Sequence, residues 1–188
     1  MSTQGLGSLR LTLTKLWLLS PERLWLFSIA LQRGGHWRLA FAVKQLNTIL
    51  YHNSLAPAAH VSPDIALGHY SHGIVVNRNV EIGERVKIWH NVTLTAGRRS
   101  RDGGSPQSPD TRARIVVEDG VRIGTNAVLI APRGETLRIG RGARIGAGAI
   151  VTESVPAGAT VVSPPSRVLL RDTQSADDAQ DVDADRAQ

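Results

Sequence analysis

The sequence predicts a mainly β protein built as a parallel β-helix, with a helical lead-in and an acidic tail. Three observations carry that prediction. Aliphatic residues recur every six positions, at Leu55, Val61 and Leu67, at Val76, Ile82, Ile88 and Leu94, and again at Val117, Ile123, Leu129, Ile139, Ile145 and Val151. A glycine often follows, as at Gly68, Gly83, Gly124, Gly140 and Gly146, and a second small or aliphatic residue falls four positions on, as at Val80, Val86, Val92, Ala127 and Ala149. Aromatics make up only 4% of the chain while glycine reaches 18 residues, which suits small side chains and tight turns. A helix repeats every 3.6 residues and an ordinary strand every two, so neither produces a period of six. Short strands joined by turns, three to a coil and stacked in parallel, do produce it. The aliphatic residue then points into a prism, and the next glycine lets the chain turn a corner without a Cβ clash.

The elements follow in order. Met1 to Ser8 is small and polar, and Leu9 to Leu19 is apolar but carries Arg10 and Lys15. Ser20-Pro21-Glu22 reads as a helix start, with serine as cap, proline at the first helical position and an acid in the first turn. That helix stops at Gly34-Gly35, and a second runs from about His36 to Tyr51 with a broad apolar face. The prism begins near residue 52. Its repeat breaks three times: by three extra residues around His69 to Gly73, by an insertion from about Thr95 to Arg114, and by four extra residues near Arg133 and Gly134. An insertion as long as the second is uncommon unless functional or disordered, and it reads as a flap over a neighbouring groove. The third reads as a small surface bulge. The expected divisions are a helical segment at 1–51, a β-helix domain at 52–168 with its flap at 95–114, and a disordered acidic tail at 169–188.

Charge and composition exclude some functions. Without cysteine there is neither a disulfide framework nor a thiolate metal site, which fits a cytoplasmic protein. From Asp172 onward six aspartates stand against Arg186 alone, a net −5, so the rest of the chain carries +11 of the formal +6. A basic body attracts anions. Nucleic acid is not the expected one, because the charge is spread along turns and no reader motif is present. The histidines are too scattered to give three metal ligands on adjacent corners, so no metal is expected. No apolar run approaches the roughly 18 to 20 residues that span a bilayer. Trp17, Trp25 and Trp37 near arginines admit peripheral membrane contact as one reading of the lead-in. Helices packed on each other or on a partner subunit are the other reading, and the usual fate of an apolar face.

The break at His69-Tyr70-Ser71-His72-Gly73 is where chemistry is expected, since regular coils build a platform and a departure from them is free to serve a site. At this point the chain resembles the hexapeptide-repeat acyltransferases, and among them the serine-acetyltransferase-like branch. The resemblance lies in Leu55-Ala56-Pro57-Ala58-Ala59-His60-Val61, Leu67-Gly68-His69, Gly73-Ile74-Val75-Val76-Asn77, Ile82-Gly83, Val92-Thr93-Leu94 and Val155-Pro156-Ala157-Gly158. It covers roughly Trp37 to Val168. It implies a left-handed β-helix that forms a homotrimer, with acetyl-CoA lying between neighbouring prisms. It also implies a histidine base that deprotonates an acceptor hydroxyl, which then attacks the thioester directly.

The base falls on His69, with His72 as competitor because three residues rather than two separate His69 from the glycine. Imidazole titrates near neutrality and is well matched to take a proton from a hydroxyl. The family's coenzyme-contacting corners fall on Ala96, Thr125 and Ala147, and Arg144 and Arg167 are placed to meet the coenzyme phosphates. Trp89 and His90 are candidate walls of the acceptor pocket. Serine acetyltransferases carry an aspartate just before the base, where this chain has Gly68, and an Arg-His pair after the flap, where it has Ala113 and Arg114. Their carboxylate partner for the base falls near Ser54. A sugar or glycan hydroxyl, which needs no clamp for an amino acid, is therefore the expected acceptor. Serine O-acetylation in cysteine biosynthesis and a non-catalytic scaffold or membrane-surface protein remain as alternatives.

Overall fold

A computed structural model describes residues 20–96 and 113–165. The first nineteen residues, the flap interior at 97–112, Arg167 and the acidic tail lie outside the described residues. Helix α1 spans Pro21–Arg33, and its Ser20 cap accepts a hydrogen bond from the Arg23 N–H at 3.4 Å. It ends at Gly34, and Gly35 takes a φ of +80° that favours glycine. Helix α2 spans Trp37–Tyr51 and closes on His52 in a left-handed conformation. The two helices pack on each other and onto the first coil. Trp25 is 1% exposed and its indole N–H donates to Ala56 O at 2.9 Å. Trp37 is 60% exposed with Arg38 against its ring, so the two tryptophans have different fates. No helix among the described residues is long and apolar enough to cross a membrane.

Among the described residues, fourteen short strands follow and form three parallel sheets, the walls of a left-handed β-helical prism. The first wall holds β1 (Ser54–Leu55), β4 (Val75–Val76), β7 (Thr93–Ala96), β10 (Val128–Ala131) and β13 (Ile150–Val151). The second holds β2 (His60–Val61), β5 (Val80–Ile82), β8 (Arg114–Val117) and β11 (Thr136–Ile139). The third holds β3 (Ala66–Leu67), β6 (Lys87–Ile88), β9 (Arg122–Ile123), β12 (Arg144–Ile145) and β14 (Thr160–Val161). Every aliphatic residue of the six-residue period is buried except Val61, which is half-buried. The register stacks them directly, Leu67 on Ile88 and Ile88 on Ile123.

The breaks in the repeat resolve into two constructions. Extra residues near Arg133 do not form a bulge. They lengthen β10 and β11 to four residues each, which pair along their full length with β7 and β8. The described chain breaks off at the end of β7 and resumes at β8, so the lengthened strands of the next coil lie against the two strands that flank residues 97–112. The break at His69 is different, because there the chain leaves the wall and comes back.

Candidate active site

Backbone hydrogen bonds identify which residues are extra. Ile74 N–H donates to Ser71 O, as Ala127 does to Gly124 and Ala149 to Gly146 in later coils. Asn91 N–H donates to His72 O, as Asn126 does to His90 and Gly148 to Thr125. His72 thus occupies the regular ladder position later held by His90, Thr125 and Ala147. The extra residues are Gly68, His69 and Tyr70, displaced from the wall before the chain rejoins it at Ser71. Three consecutive non-glycine residues, His69, Tyr70 and Ser71, adopt φ of 49°, 53° and 61°. Such conformations cost of order 1–2 kcal/mol each and persist only where the surroundings enforce them.

The enforcing group is a buried polar network. Asn53 Nδ2 donates to Ser71 Oγ at 2.7 Å and to Asn47 Oδ1 at 3.0 Å. Asn47 Nδ2 donates to Pro21 O at 2.9 Å, and Ser71 Oγ–H to Tyr70 O at 2.5 Å. Asn47, Asn53 and Ser71 are 1%, 4% and 0% exposed. A buried polar group without a partner is expensive, so this chain ties the bulge to both helices. None of the three stood out in the sequence. The available signal was an asparagine just before the first strand and a serine inside the break of the repeat.

The two candidate histidines diverge. His69 faces the next coil, its ring 4.6 Å from that of His90 in an edge-to-face contact. His72 faces the helices, its ring 5.6 Å from that of His52. His90 Nε2 lies 2.8 Å from Thr125 Oγ1, which also lies 3.1 Å from His90 O. A hydroxyl has one proton. If Thr125 donates it to the carbonyl, Nε2 must carry the ring proton of a neutral His90, leaving Nδ1 as the acceptor. That Nδ1 is buried and has no hydrogen-bond partner among the described residues. Thr125 and His90, expected on the coenzyme and acceptor sides respectively, are therefore in direct contact.

Other candidates are spread around the prism. Trp89 is half-buried, with Lys87 Nζ 4.7 Å from its ring centre and its backbone against Gly68. Ala147 lies on the same corner as Thr125, whose carbonyl accepts from Gly148 N–H at 2.8 Å. Arg144 points outward on the third wall, in register with Arg122. Ala96 is buried at the far end of the first wall. Arg114 sits on the second wall and pairs with Glu81 at 3.0 Å, both well exposed. Within one chain the structure does not bring Ala96 or Arg114 to the histidine corner.

Leu50, Tyr51, His52, His69, Tyr70 and His72 line a surface pocket of about 490 Å³. None of the six is an aspartate, glutamate, lysine or arginine. No group of three metal-ligating side chains occurs among the described residues.

No protein-family model matches the chain. Individual relatives do. A serine acetyltransferase of Mycobacterium tuberculosis is 34% identical over 138 residues, 73% of this chain and 54% of that protein. A 2,3,4,5-tetrahydropyridine-2,6-dicarboxylate N-acetyltransferase of Staphylococcus aureus is 39% identical over 74 residues, 39% of this chain and 29% of that protein. The crystal structure of soybean serine acetyltransferase complexed with serine superposes with a TM-score of 0.64 at 29% identity, covering 78% of this chain and 55% of that one. The chain thus spans about half the length or less of these relatives. The match to the mycobacterial enzyme extends over nearly three quarters of the chain, and by that homology the chain belongs with the hexapeptide-repeat acyltransferases of the serine-acetyltransferase-like branch.

Proposed function

We propose that the protein is an acetyl-CoA-dependent O-acetyltransferase with His69 as its general base. The observation that carries this is the position of His69, exposed on a held bulge at the mouth of a pocket and braced against His90. An acceptor hydroxyl in that pocket gives its proton to His69 as its oxygen attacks the thioester carbonyl. The tetrahedral intermediate collapses by breaking the C–S bond, and the departing thiolate takes the proton back from the imidazolium. Such a base supplies about 10² to 10⁴-fold, and holding two substrates together supplies much of the remainder. Thr125 and Ala147 form the adjacent corner for the coenzyme, with Arg144 outward of it for the phosphates. The active form in this reading is a homotrimer with acetyl-CoA between prisms. Sedimentation checks it, and a fully active monomer would contradict it.

For the acceptor, the pocket favours a neutral hydroxyl compound such as a sugar. An amino acid at neutral pH carries an ammonium and a carboxylate, yet the six lining residues offer neither a carboxylate nor a guanidinium. The names of the relatives favour the other reading, serine as acceptor. A thiol-release assay with acetyl-CoA against serine and a panel of sugars separates them. Sugar-dependent release without serine turnover supports the first, robust serine turnover replaces it with the second, and the absence of both together with no coenzyme binding by calorimetry removes the enzyme reading.

A further inference from the structure

Backbone strain at the bulge points to a use, and the use lies in what the strain exposes. Tyr70 is 76% exposed although it is flanked by Ser71 at 0%. A regular coil would have no residue here at all, because Gly68, His69 and Tyr70 are the extra three. The buried Asn47–Asn53–Ser71 chain fixes the ring's backbone from beneath, through the bond from Ser71 Oγ to Tyr70 O. Tyr51, the last residue of α2, lies parallel to it, with ring centres 6.3 Å apart and planes at 13°. The exposed Tyr70 ring is thus stacked on a ring from a separate element, beside His69 and His72, on a pocket lined by no aspartate, glutamate, lysine or arginine.

That surface suits one class of ligand. A pyranose ring is apolar on the face that carries its axial C–H groups and polar around its rim. Its face packs on an aromatic ring while its equatorial hydroxyls stay free for hydrogen bonds, and tyrosine supplies a rigid apolar body with little rotamer freedom to lose. We propose that Tyr70, backed by Tyr51, is the platform on which a sugar acceptor stacks, so that one ring hydroxyl is presented to His69. Asn53 and Ser71 are positioning residues that hold the platform and the base in one rigid piece. The inference rests on the hydroxyl-acetylation reading above and names the determinant of its acceptor choice.

The test is steady-state kinetics of the full chain with acetyl-CoA and neutral methyl glycosides, with serine in parallel. Tyr70→Ala is expected to raise the KM for the sugar about tenfold while the KM for acetyl-CoA stays put. Tyr70→Trp, which keeps a flat ring, is expected to retain sugar affinity. Ser71→Ala and Asn53→Ala, checked for retained fold by circular dichroism, are expected to raise the KM for the sugar as well as to lower kcat, while the KM for acetyl-CoA stays put. Loss of active protein alone would instead lower the apparent kcat and leave both KM values unchanged. An unchanged sugar KM in Tyr70→Ala overturns the platform and leaves sugar acetylation standing. Turnover of serine but not of glycosides overturns both. If neither turns over, glycoside binding followed by NMR titration decides: loss of binding in Tyr70→Ala supports the platform, and no binding by the unaltered protein overturns it.

Discussion

At Gly73 the backbone has a φ of +67°, and a Cβ added there would overlap Oδ1 of Asn91 in the coil below. Two costs therefore meet at one residue, the left-handed conformation and the close approach. Gly73→Ala is expected to lower stability by at least about 1–2 kcal/mol, read as a drop in thermal unfolding midpoint. The neighbouring histidines are separated by a different experiment. His69→Ala is expected to reduce kcat/KM by about 10² to 10⁴-fold in the thiol-release assay, with His72→Ala retaining most activity because its ring turns toward His52. Full activity in His69→Ala would remove it as the base. The sequence brought both histidines forward, because each stands at a break in a repeat that was otherwise regular. The resemblance preferred His69 and kept His72 as competitor, but the spacing alone did not separate them, since their difference is a matter of which residues leave the wall, and the hydrogen bonds of Asn91 and Ile74 record that. The network of Asn47, Asn53 and Ser71 was invisible for a related reason. Polar residues on a helix or in a turn are ordinarily solvated, and burial here arises where α1, the end of α2 and the bulge meet, with the bonds of Asn47 to Pro21 and of Asn53 to Ser71 spanning 26 and 18 positions.

The strands are a different case, because their spacing is itself the fold. A residue repeated every six positions and buried in each coil leaves one arrangement open, and its register appears directly in the pairing of Leu67, Ile88, Ile123 and Ile145. What the spacing misjudged was the insertion near Arg133, read as a surface bulge. Extra residues in a solenoid lengthen strands whenever a neighbouring coil offers strands of matching length to pair with, and β7 and β8 do so. On the second wall the elements are tied by charge. Glu118 accepts from the Arg138 guanidinium and from the Arg141 backbone N–H, both at 2.9 Å, and these hold its carboxyl below the ordinary value of 4.5. A carboxyl whose pKa is lower when folded stabilises the fold above its unfolded pKa, and that contribution is lost as pH falls through the folded value. Glu118→Gln is therefore expected to lower the unfolding midpoint slightly at neutral pH, with the difference shrinking as the solution is acidified below about pH 4. The Glu118 side chain is 32% exposed and that of Arg138 56% exposed, so the effect is small and screened by salt. A difference that grows on acidification would contradict the assignment.

A solenoid is held together only by contacts between successive coils, so its ends need covers. In this molecule α1 and α2 pack on the first coil, and Trp25 joins the two parts. Its ring is buried in the same apolar cluster as Leu55 and Ala59, and its N–H reaches Ala56 O. The same helices supply Asn47 and, through Pro21 O, the far end of the chain that braces the His69 bulge. Stability of the cap and geometry of the site are therefore coupled through one small interface, about two coils away from Thr125. Trp25→Ala is expected to cost about 3–5 kcal/mol through the lost ring, its cavity and the unpaired Ala56 carbonyl. Loss of activity is expected at temperatures below those that unfold the prism, because Asn47 and Asn53 lose their alignment before the coils separate. Thermal unfolding followed by circular dichroism, set beside residual thiol release after stepwise heating, measures both. Activity and prism unfolding that decline together in Trp25→Ala would overturn the expected early loss, by showing that cap and coils form one cooperative unit.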